Sequence, residues 1–125
     1  MLLLKQTNLT KSILEGANLT RVKLSHALMI ETDLRPTSDY RTNLSQADLS
    51  YVDLSYANIS MAILYQANLD NAHLCRANLS KGRGKNSWVT DLSCASLRNA
   101  DLSYANLTGA LLQNNLCTFR KSKQN

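Results

Sequence analysis

Ala57-Asn58-Ile59-Ser60-Met61, Ala62-Ile63-Leu64-Tyr65-Gln66, Ala67-Asn68-Leu69-Asp70-Asn71, Ala72-His73-Leu74-Cys75-Arg76 and Ala77-Asn78-Leu79-Ser80-Lys81 follow one another without a gap. Every block opens on alanine and carries leucine or isoleucine third. A period of five fits neither the turn of an α-helix nor the alternation of a long strand. If the alanine and the central residue both point inward, as alternate residues of a short extended segment do, the chain must turn within what remains of the block. Each pentapeptide is then one short side and one corner. Stacked turns of this kind satisfy backbone groups between coils rather than within one.

The register runs outward in both directions. Stepping by five from Leu4, the central positions are apolar as far as Leu79, broken only by Asp39, and the pattern resumes at Leu92, Leu97, Leu102, Leu107 and Leu112. Two residues before the centre stands a small side chain, as at Ala17, Ala27, Ala47, Ala95, Ala100, Ala105 and Ala110, with Thr, Ser or Val in most other copies. One residue before the centre is often Asn or Asp, as at Asn18, Asn43, Asp48, Asp53, Asp91, Asp101 and Asn106. Such side chains can bond local backbone at corners, and stacked asparagines can form ladders. The central leucines predict a dry interior column, each burial worth roughly 1.5–3 kcal/mol before the cost of ordering the chain.

Copies such as Ala17-Asn18-Leu19-Thr20-Arg21 and Ala105-Asn106-Leu107-Thr108-Gly109 resemble the pentapeptide-repeat family, whose motif is Ala-(Asp/Asn)-Leu-X-X, over roughly residues 2–113. The resemblance implies an all-β fold, a right-handed quadrilateral β-helix of about five coils with four pentapeptides to a coil. Neither the four sides nor the hand follows from the periodicity alone. The chain is expected to be a single domain over 1–125: a first repeat block at 1–81, a loop excursion at 82–89, a second block at 90–113, and a cap or tail at 114–125.

Composition agrees with a repeat. The hydrophobic share of 44% is ordinary, yet aromatics are only 6% and proline occurs once, so the core must be built from small, uniform aliphatic units. Cys75, Cys94 and Cys117 are odd in number with no paired spacing, which fits free thiols in a reducing compartment. No apolar run approaches a membrane span, and the expected location is cytoplasmic.

Two stretches break the register. Between Leu34 and Leu44, Pro36 follows Arg35 and Asp39 falls on an inward slot; an unpaired carboxylate there would be costly, so a bulge near 37–41 should release Asp39 to the surface or give Tyr40 the slot. Between Leu79 and Leu92 the motif is lost across Gly82-Arg83-Gly84-Lys85-Asn86-Ser87-Trp88-Val89, whose glycines mark a loop. Trp88 or Val89 is its expected anchor. At the ends, Leu2 to Leu4 enter the repeat with no residues left for a cap, which makes end-to-end association of copies an expectation. Leu111 to Phe119 could cover the last coil, in part as a short helix, ahead of the basic tail Arg120 to Lys123.

A twenty-residue coil would stack Arg21, Arg41, Met61 and Lys81 on one outward corner about 4.8 Å apart per coil, with Lys81 leading into Arg83 and Lys85. These cations, with Trp88 and the exposed turn residues Tyr51 and Tyr56, form the candidate interaction surface; the plainer reading is a solvated face. His73 and Cys75 share an outward side, but two potential ligands without a second pair do not make a metal site. No nucleophile motif or phosphate-binding glycine loop occurs, and a core filled by leucine leaves no interior pocket. Catalytic residues, metals and cofactors are accordingly expected to be none.

Three functional classes follow. The leading one is a non-enzymatic interaction or scaffold module that displays rigid columns of side chains to an unknown protein partner. The resemblance implies a second, because some pentapeptide-repeat proteins imitate the shape and negative charge of duplex DNA and act on topoisomerases such as gyrase. Fourteen Lys and Arg against nine Asp and Glu, a formal net charge of +5, disfavour it. The third is weak nucleic-acid binding through the basic corner, disfavoured by the scarcity of aromatic stacking platforms beside the cations. Numerous cyanobacterial members give the resemblance its background.

Overall fold

The computed structural model describes residues 3–85 and 87–114. They wind into five stacked coils, at 3–22, 23–47, 48–67, 68–95 and 96–114. Each coil is joined to the next by parallel bridges between equivalent sides, such as Leu3 to Lys23, Asp48 to Asn68 and Asn78 to Asn106. Four bridged positions recur per coil, so the cross-section is a quadrilateral. We name the sides A to D by their central residues. Side A carries Leu4, Leu24, Leu49, Leu69 and Leu97. Side B carries Leu9, Met29, Leu54, Leu74 and Leu102, and side C carries Leu14, Leu34, Ile59, Leu79 and Leu107. Side D carries Leu19, Leu44, Leu64, Leu92 and Leu112.

From the second coil to the fourth, the central residues and the small residues before them are buried and form one continuous core. Alanine fits there because anything larger would force the coils apart. Coil 1 differs. Leu4, Leu9, Leu14 and Leu19 are only half-buried, and outward Leu3 and Ile13 are 63% and 75% exposed. Among the described residues nothing lies over that end. No helix of these residues is long and apolar enough to cross a membrane.

Corners repeat one device. The N–H of the small residue donates to the carbonyl of the preceding central residue, as Ala47 to Leu44 at 3.1 Å and Ala57 to Leu54 at 3.0 Å. Just before that N–H, the chain takes a left-handed φ near 60°, at Arg21, His26, Gln46, Tyr51, Tyr56, Met61, Gln66 and Arg76 among others. A non-glycine residue there costs about 1–2 kcal/mol, which the inter-coil ladder and the core must offset. Asn and Asp before the centre accept the N–H two residues on, as Asn43 from Ser45 at 2.9 Å and Asp101 from Ser103 at 3.0 Å. On side A of coil 5 that slot is Ser96. There Asp70 from the coil below takes over, accepting from the Arg98 N–H at 3.0 Å and from the Ser96 hydroxyl.

Candidate functional site

The corner between sides C and D departs from this scheme twice, and both departures leave the prism at the same corner. Asn18 pairs with Asn43, a spacing of twenty-five, and Ile63 pairs with Asp91, a spacing of twenty-eight. Neighbouring bridges such as Leu3 to Lys23 and Asp48 to Asn68 keep twenty. Coil 2 therefore holds five extra residues at 36–40, and coil 4 holds eight at 82–89.

Proline explains the first departure. Pro36 occupies the slot that is left-handed at regular corners, and its ring fixes φ near −65°, so the chain cannot turn there and runs outward. It returns through a tight loop in which the Thr37 N–H donates to the Tyr40 carbonyl at 2.8 Å and the Tyr40 N–H to the Thr37 hydroxyl at 3.0 Å. The expected bulge is thus a whole pentapeptide set outside the prism. Asp39 is exposed, while Tyr40 is exposed as well and does not take an inward slot. Thr37 lies over the neighbouring coil: a Cβ on Gly16, whose φ is +65°, would meet the Thr37 methyl at 2.8 Å.

The second loop closes through the Gly82 N–H, which donates to the Trp88 carbonyl at 2.8 Å. Its first neighbour, Lys81, lays its stem against Gly109 of the next coil, where an added Cβ would stand 2.6 Å from the lysine Cδ. Neither interrupted corner shows the usual closing hydrogen bond among the described residues, and in each a buried threonine hydroxyl links the backbone of two adjacent coils. The Thr42 hydroxyl donates to the Arg35 carbonyl at 3.0 Å and accepts the Gly16 N–H at 2.9 Å. The Thr90 hydroxyl donates to the Ser80 carbonyl at 2.9 Å and accepts the Met61 N–H at 2.8 Å.

Arg41, at the foot of the first loop, ties the two together. Its Nε donates to the Met61 carbonyl at 2.9 Å, a terminal nitrogen donates to the Val89 carbonyl, and the guanidinium stands 5.8 Å from the Trp88 ring centroid. Burial pushes its pKa below the usual arginine value, while the Asp91 carboxylate acts in the opposite sense; the group stays charged at neutral pH. Above this tie the loops enclose a surface cleft of about 440 Å³ lined by Ser38 from the first loop and Lys85, Ser87 and Trp88 from the second.

The other expected site residues scatter. Of the expected column, Arg41, Met61 and Lys81 do share the C/D corner, but Arg21 does not, because the five extra residues of coil 2 shift every later position by one side. Arg21 instead heads a corner between sides D and A with Gln46 and Gln66, joined by Arg21 Nε to Gln46 Oε1 at 2.7 Å and Gln46 Nε2 to Gln66 Oε1 at 2.8 Å. Lys81, Arg83 and Lys85 lie on or beside the second loop. Tyr51 and Tyr56 are exposed at successive corners, Tyr51 diagonally across the prism from the loops. The Tyr51 ring stacks on His26 at 4.7 Å and borders a shallow depression of about 320 Å³ with Asn71, His73 and Asn99. Ser38 and the tie made by Arg41 were missed in the sequence; Pro36 was the signal that could have placed the first loop. Among the described residues no group of His, Cys, Asp or Glu could hold a metal ion, and the Leu111 to Phe119 cap lies largely outside them, since 115–125 are not described.

The family model for pentapeptide repeats matches the chain in eight copies, over residues 3–35, 40–64, 62–82 and 90–115. The chain is a pentapeptide-repeat protein. Its matches stop at the two loops, and the family fold is the right-handed quadrilateral β-helix foreseen. Among solved structures, HetL from the cyanobacterium Nostoc sp. strain PCC 7120, a pentapeptide-repeat protein involved in heterocyst differentiation regulation, is 40% identical with a TM-score of 0.63. That alignment covers 90% of this chain and 54% of HetL, so this pentapeptide-repeat chain spans about half of HetL's length. Rfr23 from the cyanobacterium Cyanothece 51142 is 26% identical over 98% of this chain and 60% of its own, with a TM-score of 0.28. QnrB1, a plasmid-mediated fluoroquinolone resistance protein, is 16% identical over 98% and 72% with a TM-score of 0.47. A comparison with proteins of curated function finds no match.

Proposed function

We propose that this pentapeptide-repeat protein is a non-enzymatic interaction module that reads a protein partner with the paired loops of the C/D corner. The observation that carries this reading is the convergence of both interruptions on one corner, two coils apart, with Arg41 fixing one loop to the other. Loops held on a rigid scaffold are where recognition concentrates, and a prism whose core is filled by its own leucines offers substrates no interior chamber. Arg21 lies on another corner and Arg41 is turned to the Met61 and Val89 carbonyls, which leaves the basic residues beside the second loop without the regular row of charge that a nucleic-acid backbone would follow. A net charge of +5 is opposite to what imitation of DNA needs.

The test is affinity capture from the native cell with three baits: the intact chain, a chain lacking 82–89, and Tyr51→Ala on the diagonal corner. The reading expects a partner held by the intact chain and by Tyr51→Ala and lost with the loop. A partner held equally by all three baits, or lost only with Tyr51→Ala, overturns it.

A further inference from the structure

The cleft between the loops has a chemistry narrow enough to name its occupant. Lys85 is the one charged side chain lining it among the described residues, flanked by the hydroxyl-bearing Ser38 and Ser87 and by the ring of Trp88. Arg41 does not line the cleft, and its Nε and one terminal nitrogen are directed at the carbonyls of Met61 and Val89. One ammonium with two hydroxyls matches a single negative charge better than a phosphate dianion, which would leave acceptor oxygens without charged donors. The Trp88 ring beside them supplies a flat apolar surface of the kind that anchors protein contacts.

We propose that the cleft binds an acidic segment of a partner protein, seating one Glu or Asp carboxylate on Lys85 and the two serine hydroxyls and an adjoining aliphatic side chain on Trp88. This rests on the reading of the loop corner as the recognition site and names the kind of partner it takes. The complementarity extends beyond the cleft. Arg83 shares the loop, Lys81 stands at its foot, and the chain as a whole is cationic, so an acidic segment is steered toward this corner.

Trp88 is the only tryptophan in the chain, so tryptophan emission reports on the cleft alone. The full chain would be titrated with a blocked pentapeptide carrying one Glu between leucines, the same peptide with Gln, sodium acetate, sodium phosphate, and an oligothymidylate. The expected result is a saturable change with the Glu peptide that weakens about tenfold or more for the Gln peptide and for Lys85→Gln, in line with loss of a charge-assisted contact. It should also weaken as salt rises and stay unchanged in Lys11→Gln, which alters a corner of side B. Equal binding of the Glu and Gln peptides overturns the proposal, as does the absence of any saturable response. Acetate binding as tightly as the Glu peptide, or tighter binding by phosphate or oligothymidylate, overturns it too. The two readings fail separately: a captured partner that is lost with 82–89 but kept by Lys85→Gln leaves the loop corner standing and removes the carboxylate. A partner kept without the loop removes the corner itself.

Discussion

Coil 3 and its two neighbours meet at the same corner, yet of the three only coil 3 turns it in the regular way. At Ile59-Ser60-Met61-Ala62 the chain takes φ of +66° at Met61 and closes with the Ala62 N–H on the Ile59 carbonyl at 3.2 Å. In coils 2 and 4 the chain leaves instead, after Arg35 and after Lys81, and the alanine slot is filled by Thr42 and Thr90. A small apolar residue suffices where the backbone closes its own turn. Where the turn is opened by a loop, a buried hydroxyl strengthens the ladder between coils, linking the Met61 N–H to the Ser80 carbonyl and giving the Gly16 N–H a second acceptor, at the cost of one oxygen atom in the core.

The largest effect should come from removing that hydroxyl. Thr90→Ala leaves the Ser80 carbonyl and the Met61 N–H without their shared partner, whereas after Thr42→Ala the Gly16 N–H still donates to the Arg35 carbonyl at 3.0 Å. Unsatisfied backbone groups at a part-buried site cost about 1–3 kcal/mol, so urea unfolding should show a loss of that order for Thr90→Ala and a smaller one for Thr42→Ala. The comparison breaks if Thr90→Ala leaves the midpoint unmoved, since the corner would then hold without the hydroxyl.

How much of this was legible follows from what repeats and what does not. The leucine column, the alanine slot and the Asx turns at Asn43 or Asp101 recur every five residues, so a period found once is found everywhere, and the fold could be read from them. The column of cations could not, because stacking depends on the running total of residues and one extruded pentapeptide moves Arg41 off Arg21's corner. The deciding residue was Pro36. Its position two after Leu34 looks unremarkable by hydropathy and becomes decisive only when that slot is known to need φ near +60°. The tie from Arg41 to Val89 joins residues forty-eight apart through backbone carbonyls, which leave no mark on side-chain pattern. Trp88 and Lys85 stand out by their loop, whereas Ser38 carries no signal of its own, because five residues set outside the prism look in sequence like a bulge within it.

A smaller effect separates the same corner by pH. On side C the slot before the centre holds Asp33 in coil 2 but Asn58 and Asn78 in coils 3 and 4, so only the loop-bearing coil 2 carries a titrating group there. Arg35 donates to Asp33 through Nε at 2.8 Å and a terminal nitrogen at 2.6 Å, and it also reaches Glu15 at 3.3 Å. Hydrogen bonding from Arg35 holds the Asp33 carboxyl below its usual pKa of 3.8, against some desolvation. A depressed folded-state pKa means that the stabilisation is present at pH above the unfolded value and disappears as pH falls through the folded one. The pair is partly exposed, so its worth is below about 1 kcal/mol. Unfolding midpoints of the parent and Asp33→Asn should therefore differ most at neutral pH and converge as the pH drops below about 4. A gap that persists or widens in acid would show that Arg35 is not holding the first loop's foot through that carboxylate.

The smallest expected effect is the most telling about the loops. Deleting 36–40 joins Arg35 to Arg41, and the resulting Thr32-Asp33-Leu34-Arg35-Arg41 is a complete pentapeptide running straight into Thr42-Asn43-Leu44. Deleting 82–89 likewise leaves Ala77-Asn78-Leu79-Ser80-Lys81 followed by Thr90-Asp91-Leu92. Removal of either loop leaves whole repeats in register and restores the twenty-residue coil that the bridges elsewhere keep. Shortening a connection also reduces the entropy lost on closing it, by a fraction of a kcal/mol. Without Pro36 the corner of coil 2 recovers a residue able to adopt the left-handed turn. Unfolding midpoints of both deletions should match or slightly exceed the parent, with the far-ultraviolet spectrum unchanged. A marked loss in either would mean that the loop contributes to the prism's stability and was kept for the fold. Stability retained alongside loss of the captured partner would separate folding from recognition, since the prism does not need the residues that the cleft is made of.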